Sequence, residues 1–137
     1  MNIRQQLELE PHPEGGAFRE LYKSDLKVVT SEGNRTRAAL THIYFQLMAG
    51  EVSRFHRVIS DEIWHLYEGP GVTLFQWKEG ERTVKRIELG SAETPHCHLI
   101  PGGYWQAAEP RGEGALVGCT VAPGFEFEDF LLIDPES

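Results

Sequence analysis

The sequence predicts an all-β protein, a barrel or sandwich of about nine short strands in one domain covering residues 1–137. Three observations predict it. Apolar and polar residues alternate over short stretches, the period of a half-buried strand. Gly, Pro and polar clusters divide these stretches at roughly 8–12-residue spacing, which suits antiparallel barrels and sandwiches better than βαβ units. Helical patterning is marginal and confined to the first few residues.

Taken in order, residues 2–9 read as a short helix that Pro11 and Pro13 stop. HPEGG (12–16) is a turn in which Gly15 and Gly16 are free to take positive φ. AFRELYKS (17–24) alternates as a strand, and SEGNR (31–35) is a loop. RAALTHIYFQLM (37–48) is rich in β-branched and aromatic residues and ends at Ala49-Gly50. VSRFHRV (52–58) and EIWHLYE (62–68) are two strands separated by a short polar connection at Ser60-Asp61. VTLFQWK (72–78), a turn at EGER (79–82) and TVKRIEL (83–89) make a hairpin. HLIPGGYWQAAEP (98–110) is two short strands around a Pro-Gly-Gly turn, and ALVGCTV (115–121) is a buried-type strand. FEFEDFLLI (125–133) closes the chain as a half-buried strand. One of its faces carries Phe125, Phe127 and Asp129, the other Glu126, Glu128 and Phe130.

Composition narrows the function. Hydrophobic residues make up 40 %, enough for a core. Thirteen basic and 21 acidic residues give a net charge of -8, which argues against a nucleic-acid partner but leaves room for one anionic ligand held by a few arginines. No apolar run approaches the roughly 20 residues that span a bilayer, and MNIRQQLELEPHPEGG lacks an apolar signal segment. The expectation is a cytoplasmic protein with no membrane partner. Cys97 and Cys119 have no CxxC spacing and read as two reduced thiols, one of them buried.

The stretch GEVSRFHRVISDEIWHLYEG (50–69) is unusually polar for a strand pair. Alternation puts Arg54, His56 and Val58 on one face of the first strand, and Glu62, Trp64 and Leu66 on one face of the second. If the strands pair, His56 and Glu62 face a common interior, where the carboxylate can orient the imidazole and burial can move either pKa toward neutrality. His65 and Tyr67 fall on the opposite face, where a subunit contact could cover them. Arg54, and Arg19 from AFRELY, could meet a phosphate or carboxylate; Arg54 could equally pair with Glu62 or Glu51. Trp64, with Tyr44 and Phe45 near it, could stack on a ring or simply fill the core.

These residues resemble the first cupin motif. Gly50 is followed after five residues by His56, then by Glu62 and, after six more, by Gly69. The second histidine of that motif is replaced by Val58. Pro101-Gly102-Gly103 resembles the second motif, with Gln106 where its histidine would stand and Pro95 where a glycine is usual. The phrases HPEGGAFRELYKS, IYFQL, SRFHRVISDEIWHLYEG, IPGGYWQAAEP and LVGCTVAPGFEFEDF resemble those of the cupin-5 family, a domain of unknown function (DUF985), from about residue 9 to 133. The resemblance implies a jelly-roll, double-stranded β-helix barrel, a homodimer, and similarity to sugar-nucleotide epimerases. His42 and His96-Cys97-His98 depart from that pattern.

Two of four metal-ligand positions, Val58 and Gln106, have thus changed type. The expectation is no metal, the alternative being a weakly bound divalent ion at His56, Glu62 and Gln106. The function expected is a small-molecule pocket, that of an isomerase or epimerase acting on a carbohydrate-like or nucleotide-linked ligand. His56 would be the base, Glu62 its orienting partner, Arg19, Tyr44, Arg54, Trp64 and Gln106 the ligand contacts. The alternatives are a non-catalytic binding or sensory module and a metal-dependent cupin enzyme.

Overall fold

In the computed structural model, which describes residues 2–133, two antiparallel sheets face one another across a shared interior. A single helical turn, α1 (Ile3–Gln6), is followed by β1 (Glu10–Pro11), β2 (Ala17–Lys23), β3 (Lys27–Val29), β4 (Thr36–Ala38) and β5 (Thr41–Met48). Then come β6 (Ser53–Arg57), β7 (Asp61–Glu68), β8 (Val72–Trp77), β9 (Lys85–Leu89), β10 (Cys97–Ile100), β11 (Trp105–Pro110), β12 (Gly114–Ala122) and β13 (Leu131–Leu132). One sheet runs β1-β2-β5-β12-β7-β10 and the other β13-β6-β11-β8-β9, with β3 and β4 forming a separate hairpin. This is a jelly roll, as the resemblance implied. Among the described residues no helix is long and apolar enough to cross a membrane.

Three expectations need correction. VSRFHRV and EIWHLYE do not pair with each other: β6 lies in the five-stranded sheet and β7 in the six-stranded one. Their short link is a corner between sheets, so His56 and Glu62 approach from opposite walls. The hairpin β3–β4 around SEGNR was not foreseen. The stretch after Gly124 is not a strand until Leu131; Phe127–Asp129 form a 3-10 turn. The cause is Asp129, which is buried and accepts hydrogen bonds from Arg37 Nε and Nη2 at 2.8 and 2.9 Å and from Arg35 Nη1 at 2.8 Å. A forked guanidinium contact of this kind outweighs a two-residue alternation. It holds the Asp129 carboxyl below the usual carboxylate range.

The interior is divided lengthwise. Toward one end, Phe45 and Leu47 of β5, Trp64 of β7, Leu74 of β8 and Val117 of β12 form a closed apolar core. Toward the other end β5, β7 and β12 present Thr41 and Ile43, Glu62 and Val121, which line a cavity. Period-two alternation therefore supplies both halves: β5 and β7 contribute cavity residues first and core residues further along, and β12, antiparallel to both, the reverse.

Deleting Leu74, which is fully buried, should cost about 2–5 kcal/mol as Leu74→Ala. Val29→Ala, at an exposed position, should stay within about 0.5 kcal/mol. Urea unfolding of both variants checks the assignment of the core.

Candidate functional site

The cavity begins with the turn HPEGG. His12 N–H donates to the Gly16 carbonyl and Gly15 N–H to the His12 carbonyl, both at 3.0 Å, which closes the turn tightly. Gly15 takes φ +116°, and a Cβ there would lie 1.9 Å from the Val52 carbonyl oxygen. Only glycine lets the turn lie this close to the start of β6. Arg54 N–H then donates to the Glu14 carbonyl at 2.8 Å, and Ser53 Oγ donates to Glu14 Oε2 at 2.5 Å.

A β-bulge completes the arrangement. Along β6 and β11, His56 faces Gln106 and Ser53 faces Ala108, so Arg54 and Phe55 together oppose Ala107. The extra residue breaks alternation and turns both Ser53 and His56 inward. Nδ1 of His56 lies 2.7 Å from Glu14 Oε2 and 2.7 Å from the Arg54 carbonyl oxygen. A carbonyl only accepts, so Nδ1 carries a hydrogen and Nε2 is the nitrogen left for the cavity. The ring stacks on Phe130, with centroids 5.5 Å apart.

Burial opposes a charge on His56, but the negative charge and hydrogen bond of Glu14, the charge of Glu62 and the Arg54 carbonyl outweigh it. The pKa rises from 6.5 to about 9. For Glu14, burial again opposes ionisation. The charge and hydrogen bond of His56, helped by His12 and Ser53, overcome it and hold Glu14 below the usual carboxylate range. Burial lowers the pKa of His12, against the charge of Glu14, and its Nδ1 accepts the Glu14 N–H at 3.1 Å.

Glu62 enters from the opposite sheet. Burial pushes it from 4.5 up to about 7, tempered by the charge of His56 and by hydrogen bonds from Cys119 and Gln106. Trp64 Nε1 donates to Gln106 Oε1 at 2.7 Å, and Gln106 Nε2 donates to Glu62 at 3.1 Å. An indole N–H can only donate, so Trp64 fixes which way the Gln106 amide points and aims its NH2 at the carboxylate. Cys119 is buried, and burial pushes its thiol pKa well up, keeping the proton that it shares with Glu62.

Of the residues singled out in the sequence, the structure brings His56, Glu62 and Gln106 together, with Trp64 behind them. The carboxylate against His56 Nδ1 is Glu14, not Glu62, which corrects the expected orienting partner. Trp64 is fully buried beneath the site as its floor and does not line the cavity. Gln106 spends both ends of its amide on Trp64 and Glu62. Arg54 is exposed on account of the bulge, and its guanidinium bonds the Pro13 carbonyl; neither Glu62 nor Glu51 is its partner, Glu51 pairing with Arg4. Arg19 and Tyr44 lie on the outer face of the six-stranded sheet, Arg19 against Glu8 and Leu7, Tyr44 edge-on to Tyr67. His42 is also on that face, bonded to Thr120 and Tyr67 at 2.8 Å. His98 bonds Gln76 at 3.0 Å, away from the cavity.

His12 and Glu14 were read only as parts of a turn. The one signal that could have found them is the density of titratable groups in a five-residue turn stiffened by Pro13 and two glycines.

A metal does not fit these donors. Val58 occupies one motif position, the Gln106 oxygen accepts from Trp64, and His56 Nδ1 is taken. Among the described residues no three of His, Cys, Asp and Glu are grouped so as to hold an ion. The alternative set His56, Glu62 and Gln106 is therefore not a coordination sphere here.

A family model described as "Cupin superfamily (DUF985)" matches residues 2–133. A hypothetical protein from Leishmania major superposes with a TM-score of 0.87 at 29% identity, covering 95% of this chain and 84% of that one. Protein SO0799 from Shewanella oneidensis superposes with a TM-score of 0.80 at 37% identity, covering 99% and 87%. The uncharacterized protein YML079W of Saccharomyces cerevisiae is 30% identical over 148 residues, covering 94% of this chain and 72% of the relative.

The titrations set a stability profile. His56 is raised from 6.5 to about 9, so its contribution is complete below 6.5 and is lost as pH rises through about 9. Glu62 is raised from 4.5 to about 7, so its contribution is complete below 4.5 and is lost through about 7. Glu14 is lowered, so its contribution is present above 4.5 and is lost on acidification below that value. Urea midpoints should therefore decline in two overlapping steps, one between about pH 4.5 and 7 and one between about 6.5 and 9, and His56→Gln should remove the upper step. A midpoint unchanged across that range would contradict the assignment. Gly15→Ala should cost on the order of 1–3 kcal/mol from backbone strain alone and detach Glu14 from His56, measurable as loss of that upper step.

Proposed function

Because the chain belongs to the cupin superfamily, in the DUF985 family, we propose that its barrel is an acid–base site that isomerises a small carbohydrate-like hydroxy-carbonyl compound. The observation that carries this reading is geometric. His56 and Glu62 face one cavity from opposite sheets, each buried, with Glu14 behind His56.

Their protonation suits the reaction. Near neutral pH, His56 is an imidazolium with Nε2–H as a donor, and Glu62 is partly ionised, since its pKa is about 7. Glu62 removes the proton from the carbon beside the carbonyl. His56 Nε2–H donates to the carbonyl oxygen as charge develops there, forming an enediol. Returning the proton from Glu62 to the neighbouring carbon, or to the same carbon on its other face, gives the isomer. When the proton goes to the neighbouring carbon, the original hydroxyl gives its proton to His56 and becomes the carbonyl; when it returns to the same carbon, the new hydroxyl gives its proton back, and in both cases nothing is consumed. A base near the working pH and a matched acid are what such a transfer needs.

The roles differ from those expected of the sequence. His56 acts as the acid because Glu14 keeps it charged, and Glu62 is left as the base. Trp64 and Gln106 are positioning residues, holding Glu62 from beneath. A binding module without turnover would share the same pocket, and the variants below separate the two.

Exchange of solvent deuterium into the α-carbon of a hydroxy-carbonyl compound, followed by proton NMR, reads the first step directly. Glu62→Gln should slow it by about 10²–10⁴-fold while leaving ligand affinity within a few-fold. The rate should rise through about pH 7 as Glu62 ionises and fall through about pH 9 as His56 loses its proton. Binding without any exchange, in the parent and the variant alike, would favour the module.

A further inference from the structure

We infer that the ligand of this cavity is small and uncharged, and that phosphorylated and nucleotide-linked compounds are excluded from it; the inference rests on the acid–base reading of the same site. Size gives the first limit. The cavity has about 50 Å³ open to a water-sized molecule, room for a handful of non-hydrogen atoms. A nucleotide does not fit in that space.

Charge gives the second limit. Glu14, Glu20 and Glu62 line the cavity, and no Lys or Arg does so among the described residues. The one cation in the wall is His56, and Glu14 already neutralises it at 2.7 Å. The cations on neighbouring elements are also taken. Lys23, in the strand that carries Glu20, pairs with Glu126 at 2.9 Å. Arg37, on β4, pairs with Asp129 and Glu128 at 2.8 Å, and Arg35 beside it pairs with Asp129 at 2.8 Å. Arg19 turns outward to Glu8 at 3.1 Å. A phosphate dianion entering here would lose its water with no free counter-charge to meet it and three carboxylates around it. Burying a charge in that way is strongly unfavourable.

The walls agree with this. Phe18, Phe125, Phe127 and Phe130 line the cavity, and three of them come from the final segment that closes over it. Phe125 and Phe127 meet edge to face at 4.9 Å. Aromatic walls favour the carbon skeleton of a short ligand, while one hydrogen-bond donor and one acceptor address its carbonyl and hydroxyl groups. Short-chain hydroxy-carbonyl compounds match that polarity, and the shortest of them come nearest to the volume.

The test uses the full chain and matched probes: dihydroxyacetone and erythrulose, dihydroxyacetone phosphate, and uridine diphosphate glucose. Amide chemical-shift titrations give the affinities, and deuterium incorporation gives the reaction. An uncharged probe should bind at least about 100-fold more tightly than its phosphate, and the nucleotide should not perturb the cavity residues. Glu20→Arg, which places a cation at an exposed position on the cavity wall, should narrow that ratio to less than about tenfold. A phosphate or nucleotide bound as tightly as the uncharged probe, or no uncharged probe bound at all, overturns the inference. An uncharged probe that binds in the cavity but exchanges no deuterium upholds the ligand class and overturns the acid–base reading. Exchange seen only with the phosphate does the reverse.

Discussion

A buried imidazolium needs a carboxylate beside it, and the site described here is organised around that need. His56 lies deep between two sheets, where water cannot stabilise its charge. Glu14 supplies the compensation at 2.7 Å and is itself held by Ser53 and by the turn that carries it. Removing either partner would leave the other as an uncompensated buried charge. The contact also links parts of the chain that are distant in sequence. It ties the N-terminal turn to β6, fixes which imidazole nitrogen faces the cavity, and sets the field in which Glu62 titrates.

On the proposed acid–base reading, that contact is what a barrel with a depleted donor set has to offer a carbonyl. Val58 offers no ligand and Gln106 is occupied, so the electrophile that the chain itself supplies is a proton on His56. A proton held at a pKa of about 9 is available at neutral pH, and Glu62 near 7 is a base at the same pH. The two sheets keep them apart: His56 belongs to the five-stranded sheet and Glu62 to the six-stranded one. Were they adjacent on one strand pair, they would neutralise each other, and Glu62 would be drawn back toward the ordinary range. The corner between β6 and β7 therefore matters to the proposed chemistry as well as to the topology.

Much of the fold was legible because strands are local. Alternation in EIWHLYE put Glu62 and Trp64 on the inner face, where they lie, and THIYFQLM and ALVGCTV were legible as strands, although Tyr44, expected at the ligand, lies on the outer face. The short connections were legible as turns, but not as corners, since a hairpin and a crossing between sheets use similar residues. The bulge in β6 was invisible, because one extra residue leaves no signature in SRFHR; it is why Arg54 turned outward while Ser53 and His56 turned in. Glu14 was missed because its role is set by residues about forty positions away. Asp129 was misplaced for the same reason: Arg35 and Arg37, far upstream, decide its burial. Local pattern reads the strands, and long-range charge pairing decides what the loops do.

The central claim is that Glu14 keeps His56 protonated within the barrel. Titration of the imidazole nitrogens by ¹H–¹⁵N NMR, in the parent protein and in Glu14→Gln, tests it most directly. The account predicts that His56 stays doubly protonated up to about pH 9 in the parent and loses its proton at markedly lower pH in the variant. A His56 that titrates near 6.5 in the parent, with no response to Glu14→Gln, would contradict it.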